Sequence, residues 1–336
     1  MQVTIIGAGV AGLCCAVELA ERGIDVEVLE RSEHLGANSC SWFAGGMLAP
    51  WCERETAEPL VVELGEEGLE WWAGHIPALV RNGSLVLAHA RDRAELTRFA
   101  RRTERHQLLN RTQIGALEPD LADRFDQALL FSDEAHLDPR AALASLSRRL
   151  EKLGGRIRFG TDAAQLHFGN RQVIDCTGLA ARKVLTDLRG VKGEMLVLRT
   201  NDITLSRPVR LLHPRFPLYV VPRGEGVFMI GATMIESDDT TRITARSMLE
   251  LLSAAYALHP AFSEAEIIEI GTQVRPAFPD NLPRLRRIDG RLYLNGLFRH
   301  GFLLAPALAR RVARVLLEDQ HYPELMHEDP RERRLA

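Results

Sequence analysis

Apolar positions along the chain fall into short unbroken runs and into helical stripes. The first run, residues 3–6 (VTII), is rich in β-branched side chains and predicts a buried parallel strand. Leu13, Ala16, Val17, Leu19 and Ala20 then recur at helical spacing up to Gly23, and residues 24–29 predict a second strand. Residues 140–153 form an amphipathic helical pattern stopped by Gly154 and Gly155. Strands follow at 156–159 and 172–175, the latter running into Cys176, Thr177 and Gly178. Near the end come a strand at 291–295 and a helix at 306–319, with Leu308, Val312, Val315 and Leu316 on one face.

Between these segments lie β-branched or alternating stretches at 84–88, 128–132, 194–199, 208–213, 218–222, 227–233 and 267–273, separated by turns such as Arg223-Gly224-Glu225-Gly226. They predict one mixed, largely antiparallel sheet. The fold class is therefore α/β. A Rossmann-like domain, discontinuous in sequence, is expected from 1–75, 140–193 and 285–336, with a second domain from 76–139 and 194–284. Two domains suit a chain of 336 residues.

The turn after the first strand carries candidate chemistry. Gly7, Gly9 and Gly12 have G-x-G-x-x-G spacing between a strand and a helix, and Glu30 closes the second strand. Such glycines allow a tight turn, close approach of backbone to a pyrophosphate, and close helix–strand packing. The helix N-terminus offers free N–H groups and a favourable dipole to the phosphates. Glu30 can accept hydrogen bonds from ribose hydroxyls and disfavours a 2′-phosphate, so the nucleotide is NAD or FAD rather than NADP.

Composition narrows the class further. With 46% hydrophobic and 26% charged residues and a net charge of −3, nothing points to nucleic acid or an anionic membrane as partner. Five cysteines, at 14, 15, 40, 52 and 176, show no C-x-x-C pair and no zinc-like spacing, which suits free thiols in a reducing cytoplasm. No metal site is expected.

Several motifs then coincide with the opening turn. They are Ser41-Trp-Phe-Ala44-Gly45-Gly-Met47-Leu-Ala-Pro50, Leu218-Tyr219-Val-Val-Pro222-Arg223 with Gly231-Ala-Thr-Met234, Val274-Arg275-Pro276 with Pro279-Asp280-Asn-Leu-Pro283, and Asn295-Gly-Leu-Phe-Arg299-His300-Gly301-Phe302-Leu303-Leu304-Ala-Pro306. Together, and in order over essentially the whole chain, they resemble the FAD-dependent D-amino-acid oxidase family, especially its glycine oxidases of thiamine biosynthesis. The resemblance implies non-covalent FAD and oxidation of glycine, sarcosine or small D-amino acids to an imine, with oxygen reduced to hydrogen peroxide.

It also implies site residues. Arg275 pairs with the substrate carboxylate, Tyr219 hydrogen-bonds it, Met47 and Met234 wall a small pocket, and Arg299 lies beside flavin and substrate. Gly301 to Leu304 present backbone N–H groups to the flavin. The cofactor is expected against Gly7, Gly9, Val10, Ala11, Gly12, Glu30, Arg31, Ser41, Ala44, Gly45, Met47, Thr177, Gly178, Arg299, His300, Gly301, Phe302, Leu303 and Leu304. Two positions depart from the family: Pro217 replaces a polar residue two places before the tyrosine, and His300 replaces an asparagine. Arg275 has a bland reading as a structural ion pair, Tyr219 as an ordinary strand aromatic, and the two methionines as core filler. Alternative functions are a D-amino-acid dehydrogenase passing electrons to a quinone, or a flavin-binding module without turnover. Amino-acid substrate and oxygen are the expected partners, with a homo-oligomer open.

Overall fold

Strand Gln2–Ile6, helix Val10–Ala20 and strand Asp25–Leu29 form the βαβ unit that the periodicity predicts. The computed structural model describes residues 1–169, 171–213 and 217–326. Gly7 turns the chain at φ +101°, and a Cβ there would lie 2.8 Å from the Cys176 carbonyl oxygen. A Cβ at Gly12 would lie 1.9 Å from Gly7 O, so the helix can sit this close to the turn only without a side chain.

These strands belong to a six-stranded sheet in the order Arg284–Ile288, Arg291–Asn295, Gln172–Asp175, Gln2–Ile6, Asp25–Leu29, Arg156–Arg158. All neighbours are parallel except the edge strand Arg284–Ile288, which the sequence pattern did not single out. Helices Val10–Ala20, Pro139–Lys152 and Gly301–Leu317 contribute to the core packed around this sheet.

Among the described residues the second sheet has nine strands, one of them the two-residue Ile235–Glu236 at an edge. Its long strand Arg189–Arg199 pairs with Glu266–Ala277 on one side and with Val227–Gly231 on the other. Beyond these lie Leu218–Gly224, Val209–Leu212, Ser84–Ala88, Gln127–Phe131 and Gln107–Asn110. Only the pairing of Val209–Leu212 with Ser84–Ala88 is parallel, so the sheet is mixed and largely antiparallel. The strand expected to begin at 194 begins at Arg189, five residues earlier in the second sheet. A second hydrophobic core, with Leu198, Val220, Phe228 and Leu258, lies under this sheet against helix Ala245–Leu258.

The last helix corrects another boundary. It starts at Gly301 and not at Pro306, which lies inside it. Pro306 has no N–H to give to Phe302 O, and the indole Nε1 of Trp72 donates to that carbonyl instead at 2.7 Å. Trp72 sits on helix Pro59–His75, which approaches so closely that a Cβ at Gly68 would lie 2.1 Å from Leu303 O.

Gly68 therefore sets the spacing of these two helices. Gly68→Ala should destabilise the protein by about 1–3 kcal/mol through overpacking. Gly74→Ala, on the same helix with nothing within 4 Å of the new methyl, should gain a few tenths to about 1 kcal/mol from helix propensity. Urea unfolding followed by circular dichroism would separate them; equal midpoints for the two variants would refute the close-packing account.

Candidate functional site

The glycine turn opens beneath helix Val10–Ala20, whose N-cap Gly9 has no side-chain cap and whose first turn carries no acidic residue. A Cβ on Gly9 would lie 3.3 Å from Ser39 Oγ and 3.4 Å from Ser41 Oγ. Val10 N donates to Ser41 Oγ at 3.1 Å. Glu30 accepts from Ala8 N at 2.9 Å and Ser32 N at 2.8 Å, so it braces the turn from the end of the second strand. Ala11 is half-buried beside the turn, and Arg31 next to Glu30 is exposed. On the far side, Thr177 N and Oγ1 donate to Asp175 Oδ1 at 3.0 and 2.6 Å, and Gly178 O accepts from Asn295 Nδ2 at 2.9 Å.

A cavity of about 180 Å³ adjoins this turn and brings together Met47, Tyr219, Met234, Arg275 and Arg299. Its floor is one face of the second sheet. Arg210 pairs with Tyr219, Tyr219 with Gly231, Gly231 with Met195, and Met195 with Gly271, so large residues sit beside glycines. A Cβ at Gly231 would lie 2.8 Å from Tyr219 Oη, and one at Gly45 would lie 2.9 Å from Tyr219 Cε2. The ring is thus held between two glycines. Arg223 fixes the Gly45 side, donating to the carbonyls of Leu137 (2.8 Å), Gly45 (2.8 Å) and Ala44 (3.2 Å). Burial pushes the Tyr219 hydroxyl above its usual range, leaving it a neutral donor.

Arg275 lies flat against the backbone of Gly193, where a Cβ would come 2.3 Å from Cζ. Its Nη1 donates to Thr233 O at 3.1 Å, and among the described residues it has no carboxylate partner. The structural ion pair that would have explained it otherwise is absent there. Pro217, the first departure from the family pattern, also lines the cavity.

Arg299 has partners that sequence reading missed. Its Nη2 lies 2.6 Å from Glu53 Oε2 and donates to Thr56 Oγ1 at 2.8 Å, while Nη1 is 3.8 Å from the Met234 sulfur. Glu53 Oε1 in turn accepts from Arg210 Nη2 at 2.6 Å. Burial opposes ionisation of Glu53, but the Arg299 and Arg210 guanidiniums outweigh it and hold the carboxyl well below the usual range. His300 Nδ1 lies 3.6 Å from Glu53 Oε2, yet burial drives its pKa down to about 4, so the ring is neutral at pH 7. Behind Arg210, the fully buried Glu134 accepts from Cys52 N at 2.7 Å and from Ser84 Oγ, which anchors the turn delivering Glu53. Burial pushes its pKa up to about 7.

The last helix also reaches the cavity. His300 gives no side-chain cap, there is no acidic residue in the first turn, and Gly301, Phe302 and Leu303 line the space. Leu304 is a correction to the expected donor set: its N–H already bonds His300 O at 2.9 Å and its side chain is fully buried. The first helical hydrogen bond consumes that group, leaving the three preceding N–H groups as the available donors.

The glycine turn thus adjoins a cavity whose wall carries a guanidinium without a carboxylate partner among the described residues. Residues 2–315 match the FAD dependent oxidoreductase family, and the chain belongs to that family. A protein of Rhizobium etli assigned by name to thiamine biosynthesis as the oxidoreductase ThiO is 54% identical, over 96% of this chain and 99% of its own. The glycine oxidase of Pseudomonas aeruginosa is 27% identical over 94% of each chain. The glycine oxidase crystal structure from Geobacillus kaustophilus superposes with a TM-score of 0.81 at 23% identity, covering 98% of this chain and 99% of that one, and shares the fold. The chain is thus an FAD-dependent oxidoreductase, similar over nearly its full length to ThiO and to glycine oxidases. The residues fit the cofactor: two helix N-termini whose own N-cap residues give no side-chain cap face one space, and Gly9 leaves that space open where a side chain would crowd Ser39 and Ser41.

Glu134 gives a pH test of the buried network. An unfolded glutamate ionises near 4.5, whereas Glu134 in the fold ionises at about 7. Between these values the folded state binds the extra proton, so stability falls as pH rises, by up to about 1.4 kcal/mol per unit. Glu134→Gln should flatten this slope. Urea midpoints at pH 5 and pH 8 check it, and parallel profiles for wild type and variant would mean that Glu134 is already ionised at pH 5.

Proposed function

We propose that the protein oxidises glycine, or a small amine such as sarcosine or a small D-amino acid, to the imine, with oxygen taking the electrons to give hydrogen peroxide. In this reading it works in the cytoplasm and supplies glycine imine for the thiazole of thiamine. The observation that carries it is Arg275, a guanidinium in the cavity wall without a carboxylate partner among the described residues, beside a neutral Tyr219 hydroxyl.

Bound FAD supplies the two-electron acceptor; the chain has to hold, orient and shield the amine. Arg275 would take the substrate carboxylate by two parallel hydrogen bonds, a geometry for which a planar guanidinium is suited. Tyr219, wedged between Gly45 and Gly231, would donate a third. Met47 and Met234 would close the space beyond Cα, favouring glycine and sarcosine over bulky D-amino acids. Gly9, Val10, Ala11, Gly12, Glu30, Ser41, Thr177 and Gly178 would hold the nucleotide, and the N–H groups of Gly301, Phe302 and Leu303 would face the flavin. His300 is neutral and flanked by Arg299, Arg210 and Glu53, so it is not assigned a proton-transfer role.

Removing a buried partner of a charged group costs about 3–5 kcal/mol, or roughly two to four decades in catalytic efficiency. Arg275→Ala should therefore keep FAD and fold but lose most of its kcat/KM for glycine, and Arg275→Lys should recover only part. Anaerobic flavin reduction against glycine concentration measures both. Wild-type efficiency in Arg275→Ala would make Arg275 structural.

A further inference from the structure

The second sheet is irregular beside Arg275. Strand Arg189–Arg199 pairs Met195 with Gly231 but Lys192 with Ile235, three residues back on one strand against four forward on the other. One extra residue therefore enters the partner strand between these pairs, which makes a bulge. On the Lys192 side of it Glu194 stands opposite Thr233, and Thr233 N donates to Glu194 O at 3.2 Å. In a regular antiparallel ladder the return bond would run from Glu194 N to Thr233 O. Here Glu194 N donates instead to the Thr233 hydroxyl at 2.9 Å. The carbonyl is left over, and Arg275 Nη1 donates to it at 3.1 Å.

The hydroxyl is itself held from behind. It donates to Glu194 Oε2 at 3.0 Å, and the Glu194 side chain is buried with its Oε1 3.7 Å from Lys192 Nζ. Lys192, also buried, directs its donors to Asp239 Oδ2 (3.2 Å), Thr241 Oγ1 (3.3 Å) and Arg242 O (3.4 Å). It thereby ties the segment that follows Thr233 back onto the strand. Lys192 and Glu194 alternate with Gly193 and so point away from the face that Gly193 gives to the cavity. Neither lines the cavity; what they secure is the Thr233 hydroxyl.

We propose that Thr233 and Glu194 are positioning residues of the carboxylate site: the hydroxyl takes the ladder bond and so releases the Thr233 carbonyl to orient the Arg275 guanidinium. This rests on the amine-oxidase reading above, which makes Arg275 the carboxylate partner. With Gly193 against its face and Thr233 O at one nitrogen, the planar guanidinium is fixed in the plane in which a carboxylate has to arrive. Without the hydroxyl, Glu194 N–H would have only the carbonyl of residue 233 as its acceptor, and a buried N–H is rarely left unpaired. That carbonyl would turn to the ladder and away from Arg275.

The test is acetate binding to the FAD-loaded protein, followed by the flavin spectrum and by calorimetry, in wild type, Thr233→Val and Thr233→Ser. Thr233→Val keeps the shape and removes the hydroxyl, so acetate should bind on the order of tenfold more weakly, the loss of about one hydrogen bond to a charged group. Thr233→Ser keeps the hydroxyl and should restore most of the affinity. FAD affinity should be the same in all three, which a general loosening of the fold would not leave. If the valine strands the buried Glu194 charge and the protein fails to fold, the double variant Glu194→Gln with Thr233→Val removes that charge and should show the same weakening. Wild type that binds no acetate, equal affinity in wild type and the valine variant, or a serine variant no better than the valine one overturns the proposal. Anaerobic flavin reduction by glycine separates this from the amine-oxidase reading. An apparent Kd for glycine that rises in Thr233→Val in parallel with that for acetate supports both. Should glycine and other small amines reduce the flavin in no variant, wild type included, the amine-oxidase reading falls and the acetate comparison still decides the positioning role.

Discussion

Two helix N-termini meet at one place, and much of the molecule serves to keep them there. Helix Val10–Ala20 starts at Gly9 and helix Gly301–Leu317 at His300, and a Cβ on Gly301 would lie only 3.5 Å from Val10 Cγ1. Each terminus carries the equivalent of roughly half a positive charge in unsatisfied N–H groups. Neither has an acidic residue in its first turn, so nothing in the helices themselves relieves the repulsion. FAD, held with its phosphates at one terminus and its electron-accepting ring at the other, would relieve it. Gly68 and Trp72 hold the second terminus in place, one by close approach and the other by taking the carbonyl that Pro306 leaves free.

That arrangement explains which parts of the fold were legible in the sequence. The opening unit was, because a buried parallel strand is a continuous apolar run and its helix has a clean stripe. The start of the last helix was not. A proline is a common first residue of a helix, so 306 was the natural reading, whereas here the chain tolerates proline deeper inside because Trp72, far away in sequence, satisfies Phe302 O. Helix Pro59–His75 carried readable signals, with proline at its start and Val61, Leu64, Leu69 and Trp72 on its buried side.

The candidate site was legible unevenly for a similar reason. Arg275, Tyr219 and Arg299 sit in recognisable motifs, and Gly231 and Gly45 lie in them as well. Their shared purpose, to let the Tyr219 ring rest on backbone, emerges only from the sheet register. Glu53 and Arg210 are separated by 157 residues, and each alone reads as surface charge. The one available hint was a charged residue inside the apolar stretch Val209–Leu212.

The electrostatics of the cavity separate recognition from titration. Its positive groups are guanidiniums, which stay charged across the working range of pH. Glu53 is held ionised by Arg299 and Arg210, and His300 is neutral above about 4. The wall charge is therefore nearly constant around neutral pH, apart from Glu134 behind Arg210. In the proposed reaction a zwitterionic amine entering this space would meet a field that attracts its carboxylate and disfavours its ammonium, because like charge lowers the pKa of a cationic acid. Hydride removal requires the neutral amine. The guanidiniums proposed to capture the carboxylate would thus also ease loss of the amine proton.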